Sequence, residues 1–455
     1  MALTVDADNL ARVFKAYDVR GTVPDQVDED LARAIGNAMV QVSGETSIAV
    51  GHDMRPSSPG LAAAFADGAL TAGADVTLIG LASTDQLYFA SGHLGLPGAM
   101  FTASHNPAQY NGVKLCHAYA APVGRDTGLT KIRDLVADGD LLRSRRPGTV
   151  TTLDVLPEYA EHLLRLAPVV GRRLTVVVDA GNGMAGHTAP AVLGGLDVDV
   201  VELYFELDGT FPHHEANPIE PENLRDLQAA VLEHRADIGL AFDGDADRCF
   251  VVDERGEPVS PSVLTALIAA RELVKEPGAT VIHNLITSRS VPQIVTERGG
   301  VPVRTRVGHS FIKATMAETD AIFGGEHSGH FYFRDFWRAD SGMLAALHTL
   351  AALAEQHRAL SELLGDFTRF VSSGEINSTV RDQDVVLRRV EEAYAGQPGV
   401  EVDHLDGLTV AHADWWFNVR PSNTEPLLRL NAEGTDLETM TSVREQVLGL
   451  IRSAT

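Results

Sequence analysis

The sequence predicts a multidomain α/β protein, and three observations lead to this prediction. The chain has 455 residues, of which 44% are apolar and 22% charged. That length exceeds what one hydrophobic core holds and corresponds to roughly three or four domains of ~100–150 residues. Segments rich in β-forming residues alternate with segments of helical periodicity, which is typical of α/β domains with largely parallel strands. A final helical pattern indicates a separate, smaller domain at the end of the chain.

The middle of the chain contains the clearest predicted elements. Leu174 to Val178 and Ile238 to Phe242 are short apolar runs typical of buried strands. Between them, Leu224, Leu227 and Val231 recur at the spacing of one helix face. We therefore expect a strand, a helix and a strand in this order.

The end of the chain predicts a helix. Thr435 and Glu438 have the spacing of a capping box, so we expect Thr435 to be its N-cap. The apolar face of this helix consists of Leu437, Met440, Val443, Val447 and Leu450.

Three loop-like stretches are candidate domain boundaries. They are the basic Arg143 to Gly148, the turn at Glu254 to Pro258 and the region Phe367 to Gly374. Four segments result, for which we predict the domains 1–150, 151–254, 255–368 and 369–455.

Composition excludes several classes of protein. The net charge of −25 opposes binding to nucleic acid or to anionic membranes, so an anionic ligand requires a locally basic cleft. The apolar stretch from Met343 to Ala354 is shorter than the ~20 residues that cross a bilayer. No signal or transit peptide is recognisable, and Cys116 and Cys249 lie in apolar runs. We expect a cytoplasmic protein with two buried thiols.

The most informative motif is Asp243-Gly244-Asp245-Ala246-Asp247-Arg248, which follows a predicted strand. Ligands bind at the carboxyl ends of strands in α/β sheets. Three carboxylates at alternate positions converge only around a cation, and hard oxygen ligands suit Mg²⁺. A solvated acidic turn is the less favoured interpretation.

Two known motifs resemble this stretch. An EF-hand loop would have Gly at its sixth position, where Arg248 stands, and we reject it. A haloacid-dehalogenase-type phosphotransferase would use Asp243 as the nucleophile, but it requires Thr where this chain has Asp247. The aspartyl-phosphate mechanism is kept as the alternative.

The segment Thr102 to Pro107 predicts a turn with an exposed serine, Ser104. The Gly-x-Ser-x-Gly elbow of serine hydrolases is absent, because Thr102 and Asn106 occupy the glycine positions. Lys114, which we expect a short loop away, can pair with phosphate or act as an acid or base.

Two loops further along the chain carry groups that bind phosphates and sugars. Arg420 to Pro426 combines a guanidinium, hydroxyls and an amide between two prolines, which is a composition suited to a phosphate site. Gly324 to His330 offers a carboxylate, a hydroxyl and imidazoles for sugar hydroxyls. A zinc site from Glu326, His327 and His330 is the less favoured alternative.

Gly181 to Gly186 matches the G-x-G-x-x-G pattern of dinucleotide-binding proteins. Asp179 precedes these glycines, and neither the three aspartates nor the serine loop suits hydride transfer. We favour a tight strand-to-helix turn.

Together, five motifs in this order resemble those of the α-D-phosphohexomutase superfamily, and within it the phosphomannomutase/phosphoglucomutase group. The resemblance spans residues 15 to 426. The motifs are KAYDVRG (Lys15 to Gly21), TASHNP (Thr102 to Pro107), DGDADR (Asp243 to Arg248), GEHSGH (Gly325 to His330) and RPSNTEP (Arg420 to Pro426).

The resemblance implies a heart-shaped protein with three similar α/β domains with mixed sheets and a smaller C-terminal α+β domain. It implies that Ser104 carries a phosphoryl group and binds Mg²⁺ together with Asp243, Asp245 and Asp247. The implied catalytic residues are Ser104, His105, Lys114, Arg20 and His330. The implied substrate-binding residues are Tyr17, Arg248, His309, Glu326, Ser328, Arg420, Ser422, Asn423 and Thr424.

The implied reaction is the interconversion of mannose-6-phosphate and mannose-1-phosphate through a hexose 1,6-bisphosphate, which is both intermediate and activator. Glucose phosphates or glucosamine phosphates are alternative substrates, although Ala246 and Thr102 argue against the glucosamine group. His327 stands at a variable position of the sugar loop and does not select one sugar. The resemblance leaves Arg20, Lys114 and His330 as equal candidates for the acid or base. Small-molecule hexose phosphates are the expected partners of a monomer or weak dimer.

Overall fold

A computed structural model describes residues 7–422 and 427–453 of the chain. The chain divides into two compact units. Unit 1 consists of Met1–Pro261 and Ser328–Ser361, and unit 2 of Ser262–His327 and Glu362–Thr455. None of the helices in the described part of the chain is both long enough and apolar enough to span a membrane.

The first sheet of unit 1 has six strands in the order β1-β5-β4-β2-β3-β6. Strand β5 is antiparallel to both β1 and β4, whereas β4, β2, β3 and β6 run parallel, so the sheet is mixed. Helices pack on this sheet, and the hydrophobic core between helices and sheet includes an edge-to-face contact of Phe65 and Phe101. The strands are β1 (Asp18–Thr22), β2 (Ser47–His52), β3 (Asp75–Leu81), β4 (Gly98–Phe101), β5 (Tyr110–Cys116) and β6 (Val150–Thr152). The helices are α1 (Ala7–Val13), α2 (Glu29–Ser43), α3 (Ser58–Ala72), α4 (Thr84–Leu94) and α5 (Leu129–Asp138).

The second sheet of unit 1 has the order β11-β10-β9-β7-β8. Strands β8, β7 and β9 are parallel, and β10 and β11 add an antiparallel edge. The predicted strand, helix and strand are confirmed as β7, α8 and β9. The elements are α6 (Leu156–Leu166), β7 (Leu174–Asp179), α7 (Ala185–Leu193), β8 (Val198–Leu203), α8 (Arg225–His234), β9 (Ile238–Phe242), β10 (Cys249–Asp253) and β11 (Pro258–Val259).

Unit 1 also contains a later segment of the chain. Its two short strands pair in antiparallel orientation, and Ser341 caps the helix that follows them by accepting a hydrogen bond from the Leu344 N–H. Every residue of that helix is buried. The segment contains β15 (Phe331–Phe333), β16 (Ala339–Asp340) and α12 (Gly342–Ala354).

In unit 2, three strands pair in parallel in the order β13-β12-β14. The elements of this part are α9 (Pro261–Lys275), β12 (Thr280–Asn284), α10 (Ser290–Glu297), β13 (Val301–Thr305), α11 (His309–Thr319) and β14 (Phe323–Gly325).

The rest of unit 2 is an antiparallel sheet in the order β17-β21-β20-β19-β18 with two helices packed on it. The predicted C-terminal helix is present, but its N-cap is Asp436, which accepts from the Thr439 N–H. The prediction of Thr435 was therefore wrong by one residue, because a carboxylate next to it caps the helix instead. The elements are α13 (Leu360–Gly365), β17 (Val371–Thr379), α14 (Gln383–Tyr394), β18 (Glu401–Asp403), β19 (Leu408–Ala411), β20 (Trp415–Pro421), β21 (Leu427–Gly434) and α15 (Leu437–Arg452).

Candidate active site

Ser104 lies in the turn that follows β4, and its backbone has a positive φ of 50°. The prediction of an exposed serine was wrong, because only 4% of the residue is accessible to solvent. The reason is that the turn packs against the aspartate loop: a Cβ on Gly244 would lie 2.5 Å from the Ser104 carbonyl oxygen. The hydroxyl remains available for chemistry and donates to Asp243 Oδ2 at 2.8 Å.

The aspartate loop, Asp243 to Arg248, joins β9 to the antiparallel strand β10. Its three carboxylates have ligand oxygens within 4.8 Å of one another and are almost fully buried. Oδ1 of Asp245 and Oδ1 of Asp247 are buried without a hydrogen-bond partner. Buried carboxylate oxygens without donors are what a hard divalent cation satisfies, so these residues fit a metal such as Mg²⁺.

The three carboxylates differ in their electrostatics. Burial raises the pKa of Asp243 to about 7, and the neighbouring carboxylates add to this effect. Burial opposes the ionisation of Asp245 and Asp247 too, but the Lys114 ammonium holds the pKa of both below its ordinary value. Lys114 therefore favours the charged form of two of the three carboxylates, those of Asp245 and Asp247.

Lys114 lies on β5, which a short loop that contains Ser104 joins to β4. Its Nζ is 2.7 Å from Asp245 Oδ2 and 2.5 Å from Asp247 Oδ2. Although burial disfavours the ammonium, these two carboxylates raise the pKa of Lys114 well above its ordinary value. In this arrangement Lys114 is held as an ammonium, which neutralises negative charge and is a weak proton donor.

His105 and Arg248 complete the surroundings of the serine. Arg248 Nε donates to Asp243 Oδ2 at 2.8 Å, and its Nη2 donates to His105 Nδ1. Burial and the Arg248 charge lower the pKa of His105 well below its ordinary value. A neutral imidazole accepting from Arg248 is consistent with this, and Ser104 Oγ is 3.2 Å from the same nitrogen.

Arg20 connects the serine turn to β1. Its Nη1 donates to Asn106 Oδ1 at 2.6 Å, and its Nη2 pairs with Asp18 Oδ2 at 2.5 Å. Strand β1 pairs with β5 in a register that aligns Arg20 with Gly112 and Asp18 with Lys114. Tyr17, the residue before this strand, is 37% exposed.

His330 lies beside the aspartate loop in unit 1. It forms an isolated antiparallel bridge with Arg248, and its Nε2 is 3.6 Å from Asp247 Oδ1. Ser328 Oγ is 2.9 Å from His330 Nδ1. Unit 1 thus brings together ten predicted residues: Arg20, Ser104, His105, Lys114, Asp243, Asp245, Asp247, Arg248, Ser328 and His330.

In unit 2, Glu326 is 2% exposed and its Oε1 accepts from Asn284 Nδ2 at 3.2 Å and from the Gly308 N–H at 3.1 Å. Gly308 precedes His309, the first residue of α11, so Glu326 and His309 lie close together. Burial lowers the pKa of His327; the Glu375 charge opposes this effect and the Arg420 charge adds to it. Within unit 2, His327 therefore lies close enough to Glu375 and Arg420 to be affected by their charges.

Arg420 Nη2 pairs with Glu375 Oε2 at 3.0 Å, and Arg429 Nη1 with Glu375 Oε1 at 3.3 Å. The Ser422 N–H donates to the Leu427 carbonyl at 2.9 Å. Asn423 and Thr424 lie outside the described residues, so their predicted role stays a prediction.

Comparison with known proteins identifies the family. Models of its four domains match the chain: the alpha/beta/alpha domains I, II and III of phosphoglucomutase/phosphomannomutase match residues 11–143, 157–256 and 261–370, and the C-terminal domain matches residues 375–450. The chain belongs to the phosphoglucomutase/phosphomannomutase family. The resemblance inferred from the motifs is thereby confirmed, as are three α/β domains with mixed sheets and a C-terminal domain built on an antiparallel sheet.

Relatives and solved structures in this family cover nearly the whole chain. The phosphomannomutase of Escherichia coli is 40% identical over 451 residues, covering 96% of this chain and 99% of the relative. The phosphohexose mutases of Xanthomonas campestris are 41% identical over 423 residues, covering 92% and 94%. The crystal structure of a phosphoglucomutase/phosphomannomutase family protein from Burkholderia thailandensis has a TM-score of 0.89 and 34% identity, and covers 97% of each chain.

Sequence reasoning missed Thr84, which supports the aspartate loop in this family member. Thr84 Oγ1 donates to Asp245 Oδ2 at 2.5 Å, and the Thr84 N–H donates to the Asp245 carbonyl at 3.0 Å. Partners of this kind orient metal-ligating carboxylates. Nothing in the sequence around Thr84 indicates this role, because residue 245 is distant along the chain.

The G-x-G-x-x-G segment also supports the aspartate loop. The Met184 N–H donates to the Gly244 carbonyl at 2.9 Å, and a Cβ on Gly183 would lie 2.7 Å from the same oxygen. Asp179 accepts from the Gly181 N–H and lies 3.1 Å from His214 Nε2. The favoured interpretation, a tight strand-to-helix turn, is consistent with these contacts.

Proposed function

We propose that this family member is an isomerase that interconverts mannose-6-phosphate and mannose-1-phosphate, with Ser104 as the phosphoryl carrier and Mg²⁺ as the metal. Relatives named phosphomannomutase, 40% identical over almost the full length, support the choice of sugar. Phosphoglucomutase activity is the second candidate, because the family description covers both reactions.

The position of the Ser104 hydroxyl is the observation that carries this proposal. It donates to Asp243 and lies beside His105 and Arg248 in a nearly dry site. Phosphoryl transfer needs little covalent activation by the protein and depends on positioning and on neutralised charge. The Ser104 hydroxyl is positioned by its burial next to the three carboxylates, and the cationic side chains beside it neutralise charge.

The Asp243, Asp245 and Asp247 oxygens, together with phosphoserine 104, would hold the Mg²⁺. When bound, this ion neutralises charge on the transferring phosphoryl group. Two of the three aspartates carry buried oxygens without donors, which supports this assignment. Arg248 and Lys114 supply further positive charge at the same place.

In the first half-reaction the bond between phosphorus and Ser104 Oγ breaks and a bond to a sugar hydroxyl oxygen forms. The sugar hydroxyl proton passes to a base, the Ser104 oxygen released from phosphorus takes up a proton, and the products are a hexose 1,6-bisphosphate and a free Ser104 hydroxyl. After the bisphosphate has turned end for end, the Ser104 hydroxyl loses its proton and binds the other phosphoryl group, and the sugar oxygen released from that phosphorus takes up a proton. Neighbouring carboxylates hold Lys114 and Arg20 as cations, so of the three candidates His330 is the one suited to accept and return a proton.

The substrate would be held by its hydroxyls and by the phosphate that is not reacting. We assign sugar contacts to Glu326 and Ser328. We assign the non-reacting phosphate to Arg420, Ser422, Asn423 and Thr424, because guanidinium and hydroxyl donors match phosphate oxygens. Tyr17 and His309 would complete the substrate contacts.

Replacement of Ser104 tests the proposal. We expect Ser104→Ala to lose mutase activity on mannose-1-phosphate in the presence of glucose 1,6-bisphosphate, and Ser144→Ala, in a surface segment, to keep it. Labelled wild-type enzyme should hold phosphate that resists hydroxylamine, because a serine phosphate resists it and an aspartyl phosphate does not. Full activity of Ser104→Ala, or a hydroxylamine-labile label, would contradict the proposal.

Turnover on a panel of sugar phosphates tests the substrate. We expect mannose-1-phosphate to be turned over at least as well as glucose-1-phosphate. A preference for glucosamine-1-phosphate would contradict the assignment of the sugar. Binding of mannose phosphates without any exchange between the 1- and 6-phosphates would indicate a binding protein without turnover.

A further inference from the structure

Arg55 is a fully buried arginine next to the serine turn that none of the motifs includes. It lies between β2 and α3 and is 1% exposed. A buried guanidinium needs partners for its N–H groups, since a charge without them is strongly destabilising. Its partners therefore show what the residue does.

The guanidinium binds four backbone carbonyls of the segment from Ser104 to Tyr110. Each terminal nitrogen binds two of them, which matches the planar fork of an arginine. Nη2 donates to Ser104 O at 2.9 Å and to Asn106 O at 2.6 Å, and Nη1 donates to Pro107 O at 2.9 Å and to Tyr110 O at 3.0 Å.

Arg55 is itself held in place. Asp53 Oδ2 is 3.3 Å from Arg55 Nε, and Asp53 Oδ1 accepts from the Arg55 N–H at 2.9 Å and from Ser58 Oγ at 2.5 Å. The guanidinium carbon lies 5.0 Å from the centroid of the Phe211 ring, within the range of a cation–π contact. A rigid group therefore binds the serine turn.

The turn needs such a group because Ser104 has a left-handed backbone, which is unfavourable for a residue other than glycine. Strained conformations of this kind persist where surrounding contacts fix them. Arg55 binds the Ser104 carbonyl, while the Ser104 hydroxyl points to Asp243. Backbone and nucleophile are thus bound by different partners.

We propose that Arg55 is a positioning residue that fixes the serine turn through four carbonyls and so sets the direction of the Ser104 hydroxyl. This inference rests on the proposed role of Ser104. Arg55 acts through the backbone of the turn, and its hydrogen bonds leave the sugar and phosphate contacts assigned above untouched. Its loss should therefore lower kcat and leave KM nearly unchanged.

Arg55→Lys keeps the charge and removes the fork, because an ammonium cannot bind four carbonyls in two planar pairs. We expect kcat to fall roughly 100-fold, the size of effect that follows a small misplacement of a reacting group. We also expect faster hydrogen–deuterium exchange in the peptide that covers residues 102–110. Arg172→Lys is the control, since Arg172 also binds a carbonyl, that of Gln356, and a carboxylate, Asp237, outside this turn.

The proposal is overturned if folded Arg55→Lys keeps the wild-type kcat, if its loss lies in KM, or if exchange in 102–110 is unchanged. Should Arg55→Lys not fold, Asp53→Asn replaces it, with a smaller change of the same kind expected and no change overturning the proposal. Exchange does not depend on turnover. A wild-type chain without mutase activity would thus refute the proposed function, while exchange still decides whether Arg55 holds the turn.

Discussion

Asp85 shows how a single buried carboxylate joins distant parts of unit 1. Its two oxygens accept from three hydroxyls: Ser83 Oγ at 2.5 Å, Tyr159 OH at 2.7 Å and Ser341 Oγ at 2.6 Å. Ser341 is also the N-cap of α12, and Tyr159 lies on α6. Burial raises the pKa of Asp85 to about 6, although the three hydroxyls favour its charged form.

This raised pKa predicts a pH dependence of stability. The folded state favours protonated Asp85, so the contribution of this residue to the free energy of unfolding is largest below pH 3.8, the ordinary pKa of an aspartate. The contribution falls as the pH rises and is constant again above about pH 6. The size of the fall is about 3 kcal/mol. Asp85→Asn cannot ionise, so its free energy of unfolding relative to wild type should rise by about 2 kcal/mol between pH 4 and pH 7, which is most of this fall.

Urea denaturation at several pH values measures this difference. Asp138→Asn is the control, because Asp138 ends α5 in an exposed position. A difference between Asp85→Asn and wild type that stays constant from pH 4 to pH 7 would contradict the prediction.

At the residue scale, the sequence indicated the groups to which we assign the chemistry and missed residues that form hydrogen bonds with them. Ser104 and the three aspartates were recognisable because their types and spacing suit phosphate and metal. Thr84 and Arg55 bind mainly backbone atoms and one carboxylate of remote segments. Such partners are set by the tertiary structure, so no local pattern indicates them.

At the scale of elements, three chain segments stack on one another through their backbones. The turn at Gly181 to Gly186 contacts the aspartate loop at Gly244, and the aspartate loop contacts the serine turn at the Ser104 carbonyl. Two of these contacts exist only because glycine has no side chain. The stack aligns the carboxylates with the serine.

Gly183→Ala tests this stack. The new Cβ would lie 2.7 Å from the Gly244 carbonyl oxygen and 2.9 Å from the Gly244 Cα, so the aspartate loop must move. We expect a loss of about 1–3 kcal/mol in the free energy of unfolding. We also expect weaker Mn²⁺ binding, by roughly 10-fold, measured by titration calorimetry.

Gly195→Ala is the matched control, because a Cβ there meets no atom within 4 Å. If Gly183→Ala lost stability but bound Mn²⁺ as tightly as Gly195→Ala, the prediction that these backbone contacts align the carboxylates would be contradicted.

The elements themselves were predictable to different degrees. The strands β7 and β9 and the helix α8 have clear apolar patterns, and the structure has them at the predicted places. The strand that carries Lys114, β5, was not predictable, because its residues include Asn and Gly, which are typical of loops. This segment nevertheless pairs with strands on both sides. Pairing within the sheet overrides the local preference of such residues.

At the scale of the whole chain, the three aspartates proposed to bind the metal, Ser104 and Lys114 all belong to unit 1, whereas Glu326 and Arg420 belong to unit 2. A ligand of the aspartates should therefore stabilise unit 1. The division into four domains near residues 150, 254 and 368 stays a prediction, since length and turn composition suggest boundaries without fixing them.

Mn²⁺ provides the test of this difference between the units. At 100 times its dissociation constant, a bound ion adds about 2.7 kcal/mol to the free energy of unfolding of the part that binds it. We expect this protection for β9 of unit 1 and not for β20 of unit 2, measured by hydrogen–deuterium exchange in increasing urea. Equal protection of the two strands, or protection of β20 alone, would contradict the prediction, and metal-free buffer with EDTA gives the baseline.

The pairing of Glu375 with both Arg420 and Arg429 has a consequence for the phosphate contacts proposed above. An arriving phosphate finds a guanidinium that already has an anion, so its binding is an exchange of one anion for another. Net affinity is then a difference between two similar attractions, which keeps it moderate. Dissociation of the phosphate is equally easy, since Glu375 pairs with the guanidinium again. A bisphosphate that must dissociate and turn end for end in the proposed reaction benefits from such reversible binding.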